Sequence, residues 1–180
     1  MQPRVDRFAD AFVAAVCREL DNARGTIQHC VEQLTDEQLW ARPAESMNSI
    51  GNLLLHLCGN LRQWIVSGIG GAADTRDRPR EFAERGPLPR ADLLFQLDRT
   101  VAEARNALRK ATAESLLQPR RIQGFDVNGL EAVIDSVAHF RGHTQEIVHL
   151  TRRLLGERYR FAFVPATVEQ GAPKEASQPE

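Results

Sequence analysis

Apolar residues recur at helical spacing over most of the chain. Between residues 5 and 34, Val5, Phe8, Phe12, Val16, Leu20, Ile27, Val31 and Leu34 follow one another at steps of three, four and seven, which predicts a long amphipathic helix. Gly25 falls inside it and weakens it locally by about 1 kcal/mol relative to alanine. Thr35-Asp36-Glu37-Gln38 reads as a capping box that opens a short turn at Leu39-Trp40, with Trp40 packed on the core and Pro43 closing the turn. Asn48 or Ser49 then caps a second helix over about 49–67, whose apolar positions are Ile50, Leu53, Leu54, Leu57, Leu61, Trp64 and Ile65, with Gly68, Gly70 and Gly71 at its end.

Residues 68–87 are glycine-rich and then charged, and read as an ordered loop or a short helix. A third helix starts at Leu88-Pro89 and buries Leu93, Leu94, Leu97, Val101, Leu108 and Leu116; Gln118-Pro119 ends it. Residues 119–128 form an irregular connection with room for a short extended piece. A fourth helix follows over about 129–156, with the stripe Leu130, Val133, Ile134, Val137, His139/Phe140, Ile147, Leu150 and Leu154 and with Gly156 as C-cap. Arg152 and Arg153 suit its C-terminal dipole. Residues 159–165 alternate and read as extended. Residues 166–180, with no core former after Val168, read as a disordered tail. Four long helices, no set of strands and long connections predict an all-α four-helix bundle with crossover loops, spanning residues 1–165.

With 180 residues and 42% hydrophobic content the chain supports one core rather than two. Its 23 basic and 24 acidic residues nearly cancel, which argues against charge-driven nucleic-acid binding. No apolar run approaches the roughly 20 residues of a membrane span, and the N-terminal stretch lacks a signal-peptide core, so the expected compartment is the cytoplasm. Cys17, Cys30 and Cys58 are odd in number and form no C-x-x-C, which points to buried, reduced thiols. His29 reads as a partly exposed surface histidine.

The candidate chemistry lies in the fourth helix. His139 and His143 stand four residues apart, within roughly 40° of each other on one face, a spacing that lets two imidazoles hold one metal ion. His56, flanked by leucines in the second helix, supplies a third imidazole if these two helices pack together. Three protein ligands with open positions is the catalytic rather than the closed structural arrangement. Asn60 and Gln63 lie four and seven residues beyond His56 and point the same way, suited to orienting a ligand. Glu146, three beyond His143, suits a fourth ligand, a partner to a ligand or a general base; its plainer reading is an ion-pair partner one turn from a basic residue. His149 is swung roughly 80° from His139 and is expected at the surface. A single Glu-x-x-His, at Glu146-Ile147-Val148-His149, is too little for a di-iron bundle.

These residues resemble the DinB family of DinB/YfiT-like metalloenzymes, and more narrowly a DinB-like subgroup of unknown function. Asn48-Ser49-Ile50 leading to His56, then Gly59-Asn60, Arg62, the Arg76-Asp77-Arg78…Glu81-Phe82 loop and His139-x-x-x-His143 carry the resemblance over about residues 5–156. It implies a four-helix bundle, often dimeric, that binds a divalent metal (zinc or nickel in related members) through His56, His139 and His143. Some relatives are transferases or isomerases that depend on a low-molecular-weight thiol. The family commonly carries glutamine where this chain has Glu146; an acid there disfavours a thiolate on the metal and favours water. The resulting expectation is a metal-dependent, thiol-using transferase or isomerase acting on small electrophiles. Glu146 and Asn60 would be its catalytic residues, and Gln63, Arg76 and Arg78 its cofactor-binding ones, with Arg80 beside them. The alternatives are a metal-dependent hydrolase using Glu146, a non-catalytic metal-binding or dimeric module, and three histidines satisfied by hydrogen bonds alone. A small-molecule substrate and a second copy of the chain are the expected partners.

Overall fold

The computed structural model describes residues 2–162 of the chain. In chain order the elements are α1 (Gln2–Val31), α2 (Asp36–Trp40), α3 (Ile50–Leu61) continuing into a wide π-helical turn (Arg62–Ser67), α4 (Arg78–Ala83), α5 (Arg90–Arg109), α6 (Ala113–Leu117), the strands β1 (Pro119–Ile122) and β2 (Phe125–Asn128), and α7 (Gly129–Leu155). α1 packs against α5 and α7, and α3 packs against the same two helices, so α1 and α3 stand at opposite corners of a four-helix bundle. The connections α1–α3 and α5–α7 therefore cross the bundle diagonally, as the long connections predicted. α3 and α7 run antiparallel side by side: Asn60 meets Ser136, and one turn earlier on α3 His56 meets His139.

The core is the convergence of the predicted stripes. Leu20, Ile27, Leu34, Leu53, Leu54, Leu57, Leu61, Leu97, Phe140 and Ile147 are fully buried, each removing about 1.5–3 kcal/mol worth of apolar side chain from water. The cysteines are all buried and unpaired. Burial pushes the Cys58 thiol up to about 12, which leaves it an inert core residue. No helix among the described residues is long and apolar enough to cross a membrane.

Several elements differ from the sequence reading, each for a local reason. α1 stops at Val31, because Gln33 and Leu34 close as turns onto the carbonyls of Cys30 and Val31 before Thr35 caps α2. The third helix is two, since the chain leaves α5 at Lys110 and Thr112 starts α6 with a reciprocal cap from Ser115. The connection over 119–128 is an antiparallel hairpin whose two-residue turn, Gln123 (φ 54°) and Gly124 (φ 86°), has both residues left-handed. Phe8 and Ile134 are 68% and 50% exposed rather than core. On α7 the inward stripe runs Val133, Ser136, Phe140, Thr144, Ile147, Thr151. It admits polar residues because Thr144 and Thr151 donate to the carbonyls of Phe140 and Ile147 one turn back, which satisfies both buried hydroxyls. The Val5 side chain, the end of the stretch over 159–165 and the tail expected over 166–180 lie outside the described residues.

Candidate metal centre

The site begins with the way α3 starts. Ser49 accepts the backbone N–H of Asn52, and the Asn52 side-chain oxygen accepts the Ser49 N–H in return. Asn52 is fully buried, and its amide nitrogen donates to the carbonyls of Glu81 (3.0 Å) and Glu84 (2.9 Å). One side chain thus caps the helix and fastens α4 beside it. A turn further along the same face, His56 points toward α7.

There the imidazoles of His56, His139 and His143 converge, with one potential ligand nitrogen from each lying within 4.8 Å of the other two. The ring centroids are 4.5–5.2 Å apart and the rings meet nearly edge to face. The Nε2 atoms of His56 and His139 are 2.9 Å apart. Two nitrogens on a tetrahedral zinc ion, each at about 2.05 Å, stand roughly 3.3 Å apart, so this pair sits close to a liganding separation.

The far side of each outer ring is held by a carboxylate. His56 Nδ1 donates to Glu81 Oε2 at 2.9 Å, and His143 Nδ1 donates to Glu146 Oε2 at 2.7 Å. Such contacts fix the tautomer and leave Nε2 as the free nitrogen. The Glu81 carboxylate is gripped on both oxygens by Arg76, through Nε at 2.7 Å and Nη2 at 2.9 Å. Burial alone pushes the Glu81 carboxyl up. The hydrogen bonds and charges of Arg76 and His56 outweigh this and hold it below the ordinary carboxylate value. Arg76 is in turn steadied by Gln63, which accepts from Nη1 at 2.9 Å and donates to Asp74 at 2.8 Å. The Arg78 guanidinium lies 4.9 Å over the Phe82 ring, which packs 4.8 Å from the ring of His56.

The donor set suits a divalent ion. Among the described residues His139 has no carboxylate partner, and its pKa is lowered to about 4 by burial first and then by the charges of His143, His56, Arg76 and Arg78. It therefore stays neutral, the form that ligates metal, through the physiological range. A cavity of about 250 Å3 opens beside the site, with His56, Asn60, Trp64, Arg78, Gln123 and His139 among its walls.

Of the residues singled out in the sequence, the three histidines are brought together, Asn60 lines the cavity, and Glu146 sits behind His143. Arg76 lines the cavity, but its guanidinium is spent on Gln63 and Glu81; Gln63 does not line it. The π-helical turn is the cause: its fewer degrees of rotation per residue carry Gln63 off the His56 face and swing Trp64 onto it. Arg80 lines a separate cleft beyond Glu81. His149 is exposed, and His29 donates to the carbonyl of Arg160 at 2.6 Å beside Tyr159. Glu81, Trp64, Gln123 and Ser136 escaped the sequence reading as site residues. Glu81 had a signal, as part of the Arg-Asp-Arg…Glu-Phe loop, but nothing in its spacing tied it to a histidine 25 positions earlier. Gln123 had none, because a short extended piece within 119–128 does not specify the hairpin turn that carries it.

A family model described as "Protein of unknown function (DUF1572)" matches residues 7–168. No curated protein matches the sequence. Among solved structures, a conserved protein from Enterococcus faecalis superposes with a TM-score of 0.66 at 18% identity, covering 79% of this chain and 96% of the other. A DinB-like protein from Bacillus subtilis gives 0.63 at 15% identity over 83% and 96%. A DinB-like protein from Bacillus cereus gives 0.58 at 18% over 73% and 85%. At these identities the likeness concerns the fold, which is the DinB-like helical bundle anticipated from the sequence.

Proposed function

We propose that this chain, which belongs to the DUF1572 family, holds a divalent transition-metal ion, zinc or nickel, through His56, His139 and His143 and uses it on a small-molecule substrate. One observation carries this reading: three imidazoles from two helices converge, two of them with Nδ1 already taken by a carboxylate. Histidines that merely filled a core would not need that orientation. A bound divalent ion would supply Lewis acidity, drawing the pKa of a thiol or water ligand toward neutrality.

The protein's own residues have separable tasks in this reading. Glu81, clamped by Arg76, keeps His56 turned toward the ion. Glu146 does the same for His143, which makes it an orienting partner rather than a free general base and takes away the base the hydrolase reading assigned to it. Asn60 stands where it can orient a ligand, and the cavity reaching His56 and His139 gives that ligand access, which favours a reacting site over a sealed, purely structural one. A second copy of the chain remains the expected protein partner.

Metal content of untagged, chelator-free protein, measured by mass spectrometry beside a His139→Ala/His143→Ala variant, tests the reading. Near-stoichiometric metal that disappears in the variant is expected. Absence of metal from both forms, with a melting temperature that divalent ions do not move, would overturn it.

A further inference from the structure

The cavity beside the histidines has a polar inventory of its own. Asn60 is only 8% exposed, and its side-chain oxygen is used, accepting from Ser136 Oγ at 2.9 Å. Its amide N–H2 group has no partner among the described residues and keeps contact with the cavity. Gln123, at the hairpin turn, is arranged alike: its oxygen accepts the Trp64 indole N–H at 3.2 Å, and its amide N–H2 is unused among the described residues. Arg78, on the same wall, stacks on Phe82 and has no carboxylate partner among the described residues. Both amides have their acceptors occupied and their donors free, and the nearby cation is unpaired. One carboxylate, Asp135, lines the cavity; it is exposed, as are Gln123 and Arg78.

We infer that this cavity is a subsite for the carboxylate of a small anionic ligand, whose acid group is met by the Asn60 and Gln123 amides and the Arg78 guanidinium while another of its atoms reaches the metal. Free donors and a cation are met better by a carboxylate, with two acceptor oxygens and a charge, than by a neutral amide, with one acceptor and donors of its own. The inference rests on the metal reading proposed above.

The test uses the cobalt(II)-loaded full-length protein and two probes, 3-mercaptopropionate and its neutral amide, with thiolate-to-cobalt absorption as the readout. The acid is expected to bind about tenfold or more tighter than the amide, the scale of one or two charge-assisted hydrogen bonds. Arg78→Ala and Gln123→Gly should each erase most of that preference with little effect on the amide. Glycine accepts the left-handed backbone, and Arg78 is exposed, so unchanged melting temperatures would keep misfolding out of the result. Asp135→Asn should bind the acid at least as tightly, because it removes a like charge from the cavity wall; weaker binding would overturn the assignment. Equal affinity for acid and amide, or no band with either on a protein carrying one cobalt per chain, overturns it too. A protein that takes up no cobalt fails at the earlier step and removes the metal reading instead.

Discussion

The Glu81 carboxylate lies against the α-carbon of Gly59, in the space a side chain at position 59 would fill: a Cβ there would collide with Glu81 Oε1 and come within 3.0 Å of Arg76 Nε. Gly59 sits one turn from His56 on α3, where alanine would otherwise favour the helix. The glycine is thus the seat of the carboxylate that orients His56. Gly59→Ala should push Glu81 off His56 Nδ1 and weaken divalent-metal binding about 10–100-fold, the usual effect of losing such a partner. Gly142→Ala is the control, because nothing lies within 4 Å of a Cβ there and it is an exposed position of α7. It should raise stability by up to about 1 kcal/mol and leave metal affinity unchanged. Competition titration with a metal-binding dye and thermal melts measure both.

The Arg76–Glu81 pair separates stability from orientation. Both side chains are almost fully buried, at 2% and 9% exposure. Glu81→Ala strands a buried guanidinium and should cost about 3–5 kcal/mol. Adding Arg76→Met removes the stranded charge and should return a good part of that loss, since apolar replacements of buried pairs are often tolerated. Metal affinity should stay low in the double variant, because His56 Nδ1 still lacks its acceptor. Urea unfolding of the metal-free proteins beside metal titration gives the two quantities; joint recovery would show that Glu81 acts only through stability.

The bundle was legible because periodicity is strong over long segments, and the His56, His139, His143 set was legible because helical spacing alone places His139 over His143 and because α3 and α7 are neighbours. What stayed hidden depends on breaks in that periodicity. The π-helical turn after Leu61 exchanges Gln63 for Trp64 on the site face, a change of phase that no apolar pattern announces. Ser136 and Thr144 occupy inward positions that a hydrophobic stripe assigns to Ile134 and its neighbours, and their hydroxyls are satisfied by contacts visible only in three dimensions. Glu81 reaches His56 across 25 residues because Asn52 fastens the backbone of α4, a side chain-to-backbone contact that leaves no spacing rule in the sequence.

Acid should destabilise the metal-free protein in a defined window. His139 has a folded pKa of about 4, against an ordinary value of 6.5. Between those values the unfolded chain binds a proton that the folded protein refuses, so stability falls as pH drops from about 6.5 toward 4. Glu81 acts in the same direction further down: its folded pKa is below its ordinary 4.5, so its contribution is present above 4.5 and lost as pH falls through the lowered value. Melting temperature against pH should decline across the upper window in the wild type and flatten there in His139→Leu. An equal slope in both proteins would remove His139 as its source.

The Asn52 side chain makes no hydrogen bond to a histidine among the described residues, yet it should govern the metal site. Its oxygen accepts from Ser49 and from Arg42 Nη2 at 2.8 Å, and its nitrogen holds the Glu81 and Glu84 carbonyls. Asn52→Ala leaves those buried groups without partners at about 1–3 kcal/mol for each that stays unsatisfied, so a loss of several kcal/mol is the upper range. Asn52→Asp is the sharper variant. It preserves acceptance from Ser49 and Arg42 but loses both donated hydrogen bonds, which frees α4 from α3 while the N-cap survives. Hydrogen exchange should then quicken over residues 78–84 and not over 50–61, and metal affinity should fall as in Gly59→Ala. If exchange over 78–84 quickens while metal binding holds, Glu81 keeps its place on His56 through Arg76 alone, and the tether through Asn52 serves only the fold.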